Sequence, residues 1–392
     1  MQRTETLSVF FDSGNKKKKV GTLALYKERL AAFAYDDGWI ESGFSISPFS
    51  LPLEKKVFIP EWEPFGGIFG IFNDSLPDGW GRLLVDRMLL KNSINPDELS
   101  VLDRLAIVGK SGMGALSYEP ESFLQTEKSL TADYDEICAE CERVLNSKEN
   151  ETDIKNLDEL FEAGGSSGGA RPKVFVNIGG EEWIVKFPSS VDSKDIGLEE
   201  YEYSLCAKKC GIEVSDFKLF PSKECAGYFG TKRFDRNNFG RDRVLMASVS
   251  ALLETSHRIP NLDYNTLLLL TLELTKNNAD VEKMFRLMCF NVFAHNRDDH
   301  SKNFSFLYDE EKSSWQLSPA YDLTYSNSIG GEHATTVNGE GKNPAMKDIF
   351  KVAEKNGIKL SHAKEIADEV ENCVQENLGR WLKAHSYGCE IN

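Results

Sequence analysis

The chain has 392 residues, 41% of them hydrophobic, and a formal net charge of −16. That length exceeds what one hydrophobic core usually supports, so two domains or lobes are expected, and the apolar content argues against disorder outside tips and ends. The acidic balance would repel a phosphate backbone, which argues against the chain binding DNA by itself.

The longest apolar runs, such as Thr266 to Leu274, stop short of the roughly 20 residues that cross a bilayer, so no membrane span is expected. The N-terminal segment MQRTETLSVFF lacks the pattern of a signal peptide, which makes the cytoplasm the expected location. Eight cysteines are scattered along the chain; the close pair, Cys138 and Cys141, has no second pair at zinc spacing and reads as plain thiols.

Residues 1 to 72 are rich in β-branched and aromatic residues interrupted by turn signals, which predicts several short strands. The run Lys16 to Lys19 reads as a solvated hairpin tip. After NDSLPDG a helix is expected through Leu83, Leu84, Arg87 and Met88, capped by Asp74, Ser75 or Asp78. An acidic, helix-favouring stretch from Ser129 to Ala163 suggests a helical connector. Two strand-like pieces, VFVNI and EEWIVKF, then flank the turn Gly179-Gly180, followed by an amphipathic helix and further strand-like segments. From about Leu252 helical periodicity dominates: Val281, Met284, Phe285, Met288 and Val292 mark one buried face, and Ile366, Val370, Cys373, Val374, Leu378 and Trp381 another, after Ser361 as N-cap. A β-containing lobe followed by a helical one is the layout of a kinase.

Transfer of a γ-phosphoryl group needs a backbone cradle for phosphates, a cation on them, oxygen ligands for Mg²⁺ and a carboxylate facing the acceptor hydroxyl. GGSSGGARPK (Gly164 to Lys173) offers a flexible cradle, although such runs also serve as linkers. Lys186 ends a strand-like run 17 residues past Gly169, and Glu200 or Glu202 on the following helix could pair with it, Glu200 being favoured. In HNRDDHSKN, Arg297-Asp298 is followed five residues later by Asn303, the RDxxxxN spacing of a kinase catalytic loop: a carboxylate base and a neutral oxygen ligand for metal. Asp322, in SPAYDLTYS, stands where a kinase places its principal Mg²⁺ ligand, although YDL replaces the usual DFG. Two rival readings are weaker. RLAIVGKS ends like a P-loop but has Arg104 where that motif needs glycine, and His295, His300 and Asp298 or Asp299 could bind a hydrolytic metal, leaving the Gly-rich run unexplained.

Several segments in order resemble the HipA kinases, toxin components of bacterial HipBA pairs. GIFNDSLPDGWGRLL and IVGKSGMGALSYEPE are similar to that family's N-terminal subdomain, SSGGARPK to its phosphate loop, TKRFDR to its interlobe strand, and RDDHSKNFSFL with SPAYDL to its catalytic and metal segments. The resemblance implies an α+β, bilobal protein-kinase-like fold with an extra β-rich N-terminal subdomain: residues 1–122 as that subdomain, 123–163 as a helical connector and 164–392 as the catalytic domain, its lobes meeting near residue 240. It implies ATP with Mg²⁺, Asp298 as base, and Asn303 and Asp322 as metal ligands. ATP contacts would come from Gly168, Gly169, Ala170, Arg171, Pro172, Lys173 and Lys186, from backbone groups of Lys232, Arg233 and Phe234 at the adenine, and from His300, Lys302, Asn303, Tyr321 and Asp322. Ser166 and Ser167 sit where the family places an inhibitory autophosphorylation site.

The resemblance further implies a HipB-like helix-turn-helix antitoxin as partner, DNA met only through it, and a protein substrate in translation, such as a tRNA-charging enzyme, whose modification inhibits growth. A lipid or small-molecule kinase and a kinase-shaped corepressor with little catalysis are the alternatives. Asp299, beside the proposed base, could raise the proton affinity of Asp298 or help bind metal; the sequence leaves the choice open.

Overall fold

The computed structural model describes residues 3–14, 16–122, 133–147, 156–237 and 242–387. It divides into two compact units, one of Met1–Gly197, Lys218–Ala247 and Ala251–Thr255, the other of Leu198–Phe217, Ser248–Ser250 and Ser256–Asn392.

The first unit opens with β1 (Thr6–Ser13), β2 (Lys16–Tyr26), β3 (Leu30–Tyr35), helix α1 (Asp37–Ser42) and β4 (Val57–Phe58). These strands and β5 (Leu116–Glu119) form one sheet in the order β4-β3-β2-β1-β5. The two-residue alternation of β1 turns Leu7, Val9 and Phe11 into the core. Lys16 to Lys19 are not a hairpin tip. They are the exposed first residues of β2, paired with Phe10 to Ser13, where each lysine keeps its ammonium in water while its backbone completes the ladder.

Between β4 and β5 lie α2 (Gly70–Asn73), α3 (Gly79–Lys91) and α4 (Val101–Val108). Helix α3 buries Trp80, Leu84 and Met88 at i, i+4 and i+8. They share a core with Ile137, Cys141 and Val144 of α5 (Tyr134–Asn146), Leu157 and Leu160 of α6 (Leu157–Gly164), and Val174 and Val185 of the next two strands. The expected connector is therefore part of a core, its apolar stripe turned in with Glu140 buried beside it; residues 123–132 and 148–155 of it lie outside those described. The GKS of RLAIVGKS follows helix α4, whereas a P-loop must precede its helix.

A second sheet has the order β6-β7-β9-β8, from β6 (Lys173–Ile178), β7 (Glu181–Lys186), β8 (Phe217–Phe220) and β9 (Tyr228–Lys232). Strands β6 and β7 pair antiparallel across the Gly179-Gly180 turn. Helix α7 (Ile196–Lys209) precedes β8, and the short β10 (Arg236–Asn237) and β11 (Asp242–Arg243) follow β9. Next come β12 (Met246–Ser248) and α8 (Val249–Leu252).

In the second unit, β13 (Leu262–Asp263) leads into α9 (Tyr264–Thr275) and α10 (Asn278–Phe293), then β14 (Ser305–Asp309) and β15 (Ser314–Leu317) as an antiparallel pair. Strand β16 (Thr335–Thr336) pairs parallel with β13, and α11 (Met346–Lys355) and α12 (Leu360–Tyr387) complete the unit. The α10 face predicted from periodicity is buried as expected, and α12 buries Ile366, Val370, Val374, Leu378 and Trp381 while Cys373 is half-exposed. Ser361 lies inside the first turn of α12, which begins at Leu360. Among the described residues no helix is long and apolar enough to cross a membrane.

Candidate active site

Helix α10 ends at Phe293, and the backbone turns through His295 at φ 52° into the HNRDDHSKN loop. Asn296 makes a parallel bridge with Ser326 and donates through Nδ2 to Asn291 Oδ1 at 3.0 Å. Asp298 and Asp299 then point opposite ways. Asp298 is exposed, with His300 Nε2 3.9 Å from its Oδ1. Asp299 is 1% exposed and accepts from Tyr264 Oη at 2.8 Å and the Thr335 amide at 3.1 Å, with His333 Nδ1 2.9 Å away. The Thr335 hydroxyl donates to the Asp299 carbonyl at 2.5 Å, and Asn291 Nδ2 to Tyr264 Oη at 2.9 Å. Asp299 therefore anchors the loop to the interior. Its carboxylate is thereby held in the interior, whereas Asp298 is exposed.

Asn303 donates through Nδ2 to the Asp298 carbonyl at 2.7 Å, which ties the two ends of the loop and leaves Oδ1 as the outward acceptor. Tyr321 donates to the Lys302 carbonyl at 2.6 Å and lies 2.6 Å from Ser305 Oγ, so the residue before Asp322 is fixed to this loop and to β14. Asp322 itself sits at φ 53°, in the left-handed region that aspartate tolerates better than most side chains. An amide oxygen and a carboxylate fixed through one tyrosine are the hard donors that Mg²⁺ takes. The His300 ring lies 5.3 Å from that of His257, tilted by 59°, and burial followed by the Arg297 charge depresses the pKa of His295.

In the first unit the GGSSGGARPK loop is docked on the start of α3. Asp78 occupies the N-cap position, yet its carboxylate makes no cap bond to its own helix and instead accepts from the Gly169 amide. The Trp80 amide donates to the Gly169 carbonyl at 2.9 Å, and Trp80 Nε1 to the Lys173 carbonyl at 3.0 Å. Gly79 and Gly81 permit this approach: a Cβ on either would stand 2.3 Å from Gly169 O or 2.1 Å from Ser167 O. Ser167 is buried and donates to the Gly164 carbonyl at 2.6 Å, whereas Ser166 is half-buried. Gly168 is half-buried and Gly169 and Ala170 are exposed, with Pro172 and Lys173 buried. Lys173 Nζ donates to the Gly168 carbonyl at 2.6 Å and its Cα pairs across the ladder with Lys186, whose ammonium lies 5.7 Å from the Phe229 ring. An anionic oxygen on the Gly169 amide shows that the loop can present that donor to an anion.

Arg171 makes a two-pronged pair with Asp192, 3.1 and 3.2 Å, and Ser189 donates to the same carboxylate. Burial raises the pKa of Asp192, but those bonds and the arginine charge outweigh it and hold it below the usual range. Lys232 pairs with Glu181 at 2.5 Å, the Arg233 amide donates to the Glu182 carbonyl at 2.9 Å, and Phe234 is half-buried. The Arg233 side chain is buried. It binds the fully buried Asp235 at 2.9 and 2.8 Å, which also accepts from Arg236 at 2.8 Å and the Gly114 amide at 2.7 Å. Despite the cost of burial, the two arginines keep Asp235 far below the ordinary carboxylate range. TKRFDR is thus also a clamp on the VGKSGMGAL segment, with Arg236 and Arg243 donating to the carbonyls of Gly112 and Gly114.

On α7, Glu199 binds His385 at 2.9 Å, and Glu202 binds Arg380 and Trp381 Nε1. Glu202 is therefore committed to α12, and Glu200 is 2% exposed.

Residues 165–378 match the family described as HipA-like C-terminal domain, and residues 12–119 match the HipA N-terminal domain. The chain belongs to the HipA family. A Shewanella oneidensis HipA, solved with HipB and its operator DNA, shares the fold with a TM-score of 0.69 at 18% identity, over 95% of this chain and 90% of its own. The Sinorhizobium fredii protein named "Putative kinase Y4dM" is 28% identical over 157 residues, which span 37% of this chain and 37% of the relative. Helicobacter pylori CtkA, described as a proinflammatory kinase, gives a TM-score of 0.35 at 14% identity over 52% of this chain and 89% of its own. The architecture is the α+β, bilobal, protein-kinase-like fold with the added N-terminal subdomain that the sequence suggested.

In the sequence Asp78 shows only as a cap, and the Asp235 clamp and the Tyr264 and His333 partners of Asp299 are not visible at all. An N-cap aspartate followed by GWG signals only a helix start; that its carboxylate turns to a loop 91 residues later is a tertiary fact.

Proposed function

We propose that this HipA-family chain is an ATP- and Mg²⁺-dependent protein serine/threonine kinase, the toxin of a HipBA-like pair that slows growth by phosphorylating a soluble protein in translation. The observation that carries the reading is the fixed trio in the second unit: exposed Asp298, Asn303 bonded across the loop to its carbonyl, and Asp322 held by Tyr321.

In this reading Asn303 and Asp322 hold Mg²⁺, which when bound neutralises the charge on the transferred phosphate. Asp298 orients the acceptor hydroxyl and takes its proton, and the backbone rigidity supplied by Asp299 keeps it aimed. Gly168 to Lys173 and Lys186 contact the phosphates, with Glu200 positioning Lys186; Lys232 to Phe234 offer backbone groups to the adenine; His300, Lys302 and Tyr321 complete the nucleotide contacts. The half-buried Ser166 is the more accessible of the two serines in the docked loop, so it is the favoured autophosphorylation site, and modification of Ser167 requires the loop to undock. The antitoxin is a HipB-like helix-turn-helix protein, and DNA is reached through it.

The test is phosphate incorporation from Mg²⁺-ATP, mapped by mass spectrometry, alone and with translation proteins as acceptors. Asp298→Asn should lower the rate about 10²- to 10⁴-fold, the usual worth of a general base, with nucleotide affinity little changed. Asp322→Asn should also weaken Mg²⁺-dependent nucleotide binding. Equal losses of rate and affinity in both variants would contradict these roles.

A further inference from the structure

Outside the candidate active site, the second unit gathers three thiols. Cys206 and Cys210 lie one helical turn apart at the end of α7, the Cys210 amide donating to the Cys206 carbonyl at 2.9 Å, so both side chains share a face. Cys373 of α12 meets that face, and the three sulfurs all lie within 4.8 Å of one another. Cys206 and Cys210 are buried and Cys373 is half-exposed, which gives the cluster one route from solvent. We propose that Cys206, Cys210 and Cys373 form a three-coordinate site for a thiophilic monovalent cation of the Cu(I) type, which bridges α7 to α12.

The donor set selects the ion. Soft sulfur ligands favour Cu(I) and Zn(II), but structural zinc is almost always four-coordinate, and no His, Asp or Glu joins this cluster among the described residues. Metal–sulfur bonds of about 2.3 Å in a trigonal plane set the sulfurs about 4 Å apart, so the cluster need contract by less than about 1 Å. Each thiol releases its proton as its S–metal bond forms, three protons in all, and the cation with three thiolates carries a charge of −2. Lys209, which binds Asn377 Oδ1 at 2.5 Å, stands at the rim to offset part of it, whereas Arg286, which binds the Cys210 carbonyl at 2.9 Å, is itself paired with Glu369 at 2.8 Å. Asn377 Nδ2 also lies 3.6 Å from Cys373 Sγ, the kind of outer donor that orients a metal-bound sulfur. The site stands independently of the kinase reading, though α7 is also the helix that carries Glu200.

The experiment titrates full-length protein with Cu(I) under anaerobic, thiol-free reducing conditions against a colorimetric chelator, and counts sulfur neighbours by X-ray absorption at the copper edge. One equivalent bound to three sulfurs is expected, with a higher unfolding temperature. Cys373→Ser, at a half-exposed position that can accept serine, should weaken binding roughly a hundredfold or more while circular dichroism stays native. Cys138→Ser and Cys289→Ser should leave it unchanged. A two-sulfur shell, full affinity in Cys373→Ser, loss in a control variant, or tighter retention of Zn(II) than of Cu(I) would each overturn the proposal; the wild-type sulfur count decides even if a serine variant misfolds.

Discussion

Docking of the phosphate loop on α3 can be perturbed at two positions with different sizes of effect. Asp78→Ala removes one charge-assisted bond to the Gly169 amide. Such bonds contribute about 1.5–3 kcal/mol, and this carboxylate is only half-buried, so the lower end, about 1.5 kcal/mol or roughly tenfold in the docking equilibrium, applies. The Trp80 amide and indole bonds remain, and the loop stays mostly docked. Gly81→Ala is harsher, because its Cβ would lie 2.1 Å from Ser167 O, and restoring an ordinary contact of about 3.5 Å requires the backbone to retreat by more than 1 Å. No bond between loop and helix survives that displacement at its present length. Hydrogen exchange read on a peptide covering residues 164–173, without nucleotide, should speed about tenfold for Asp78→Ala and more than a hundredfold for Gly81→Ala, at matched global stability. Wild-type exchange in Gly81→Ala would refute the docking argument outright.

Asp235→Ala strands two buried arginines and should cost about 3–5 kcal/mol in chemical denaturation; a loss below 1 kcal/mol would mean the clamp is dispensable. Glu254 accepts from the Gly70 amide, and burial pushes its pKa up to about 7. Because the folded value is raised, stability from this group is complete below about pH 4.5 and is lost as pH rises through 7, by up to about 3 kcal/mol before allowance for its partial exposure. Glu254→Gln should flatten that slope, and an unchanged pH profile of unfolding would count against it. Asp299→Ala should lower stability by about 3 kcal/mol by orphaning buried donors, yet leave the Mg²⁺ concentration for half-maximal nucleotide binding unchanged. A shifted Mg²⁺ requirement would put Asp299 back among the metal ligands.

The sequence made local chemistry visible where it repeats with a fixed period or spacing. The apolar face of α10 and the Gly179-Gly180 hairpin are both set within a few residues, and each appears in the structure with that geometry. What stayed hidden depends on residues far apart in the chain. Nothing near Asp78 shows that Gly169 will take its carboxylate, and nothing in α7 shows that Cys373, 163 or more positions later, completes a thiol cluster. The lysine run misled for a related reason: charge density reads as a turn, but a β-ladder is satisfied through its backbone and tolerates any side chain that reaches water.

The pair Asp298-Asp299 shows how such hidden contacts decide function. Two like charges in sequence invite an argument about shared protons, and that argument needs both carboxylates in one solvent pocket. The fold instead turns Asp299 into a nest of Tyr264 and Thr335 donors beside His333, where its charge is met by short bonds, and leaves Asp298 outside. Fixing one residue by three contacts removes most of the freedom of its neighbour's backbone, and a base with less freedom to lose loses less entropy on aiming at a hydroxyl. In this reading the second aspartate serves the first through geometry, and replacing it should reduce turnover by misplacing Asp298 while a titration of nucleotide affinity against Mg²⁺ stays where it was.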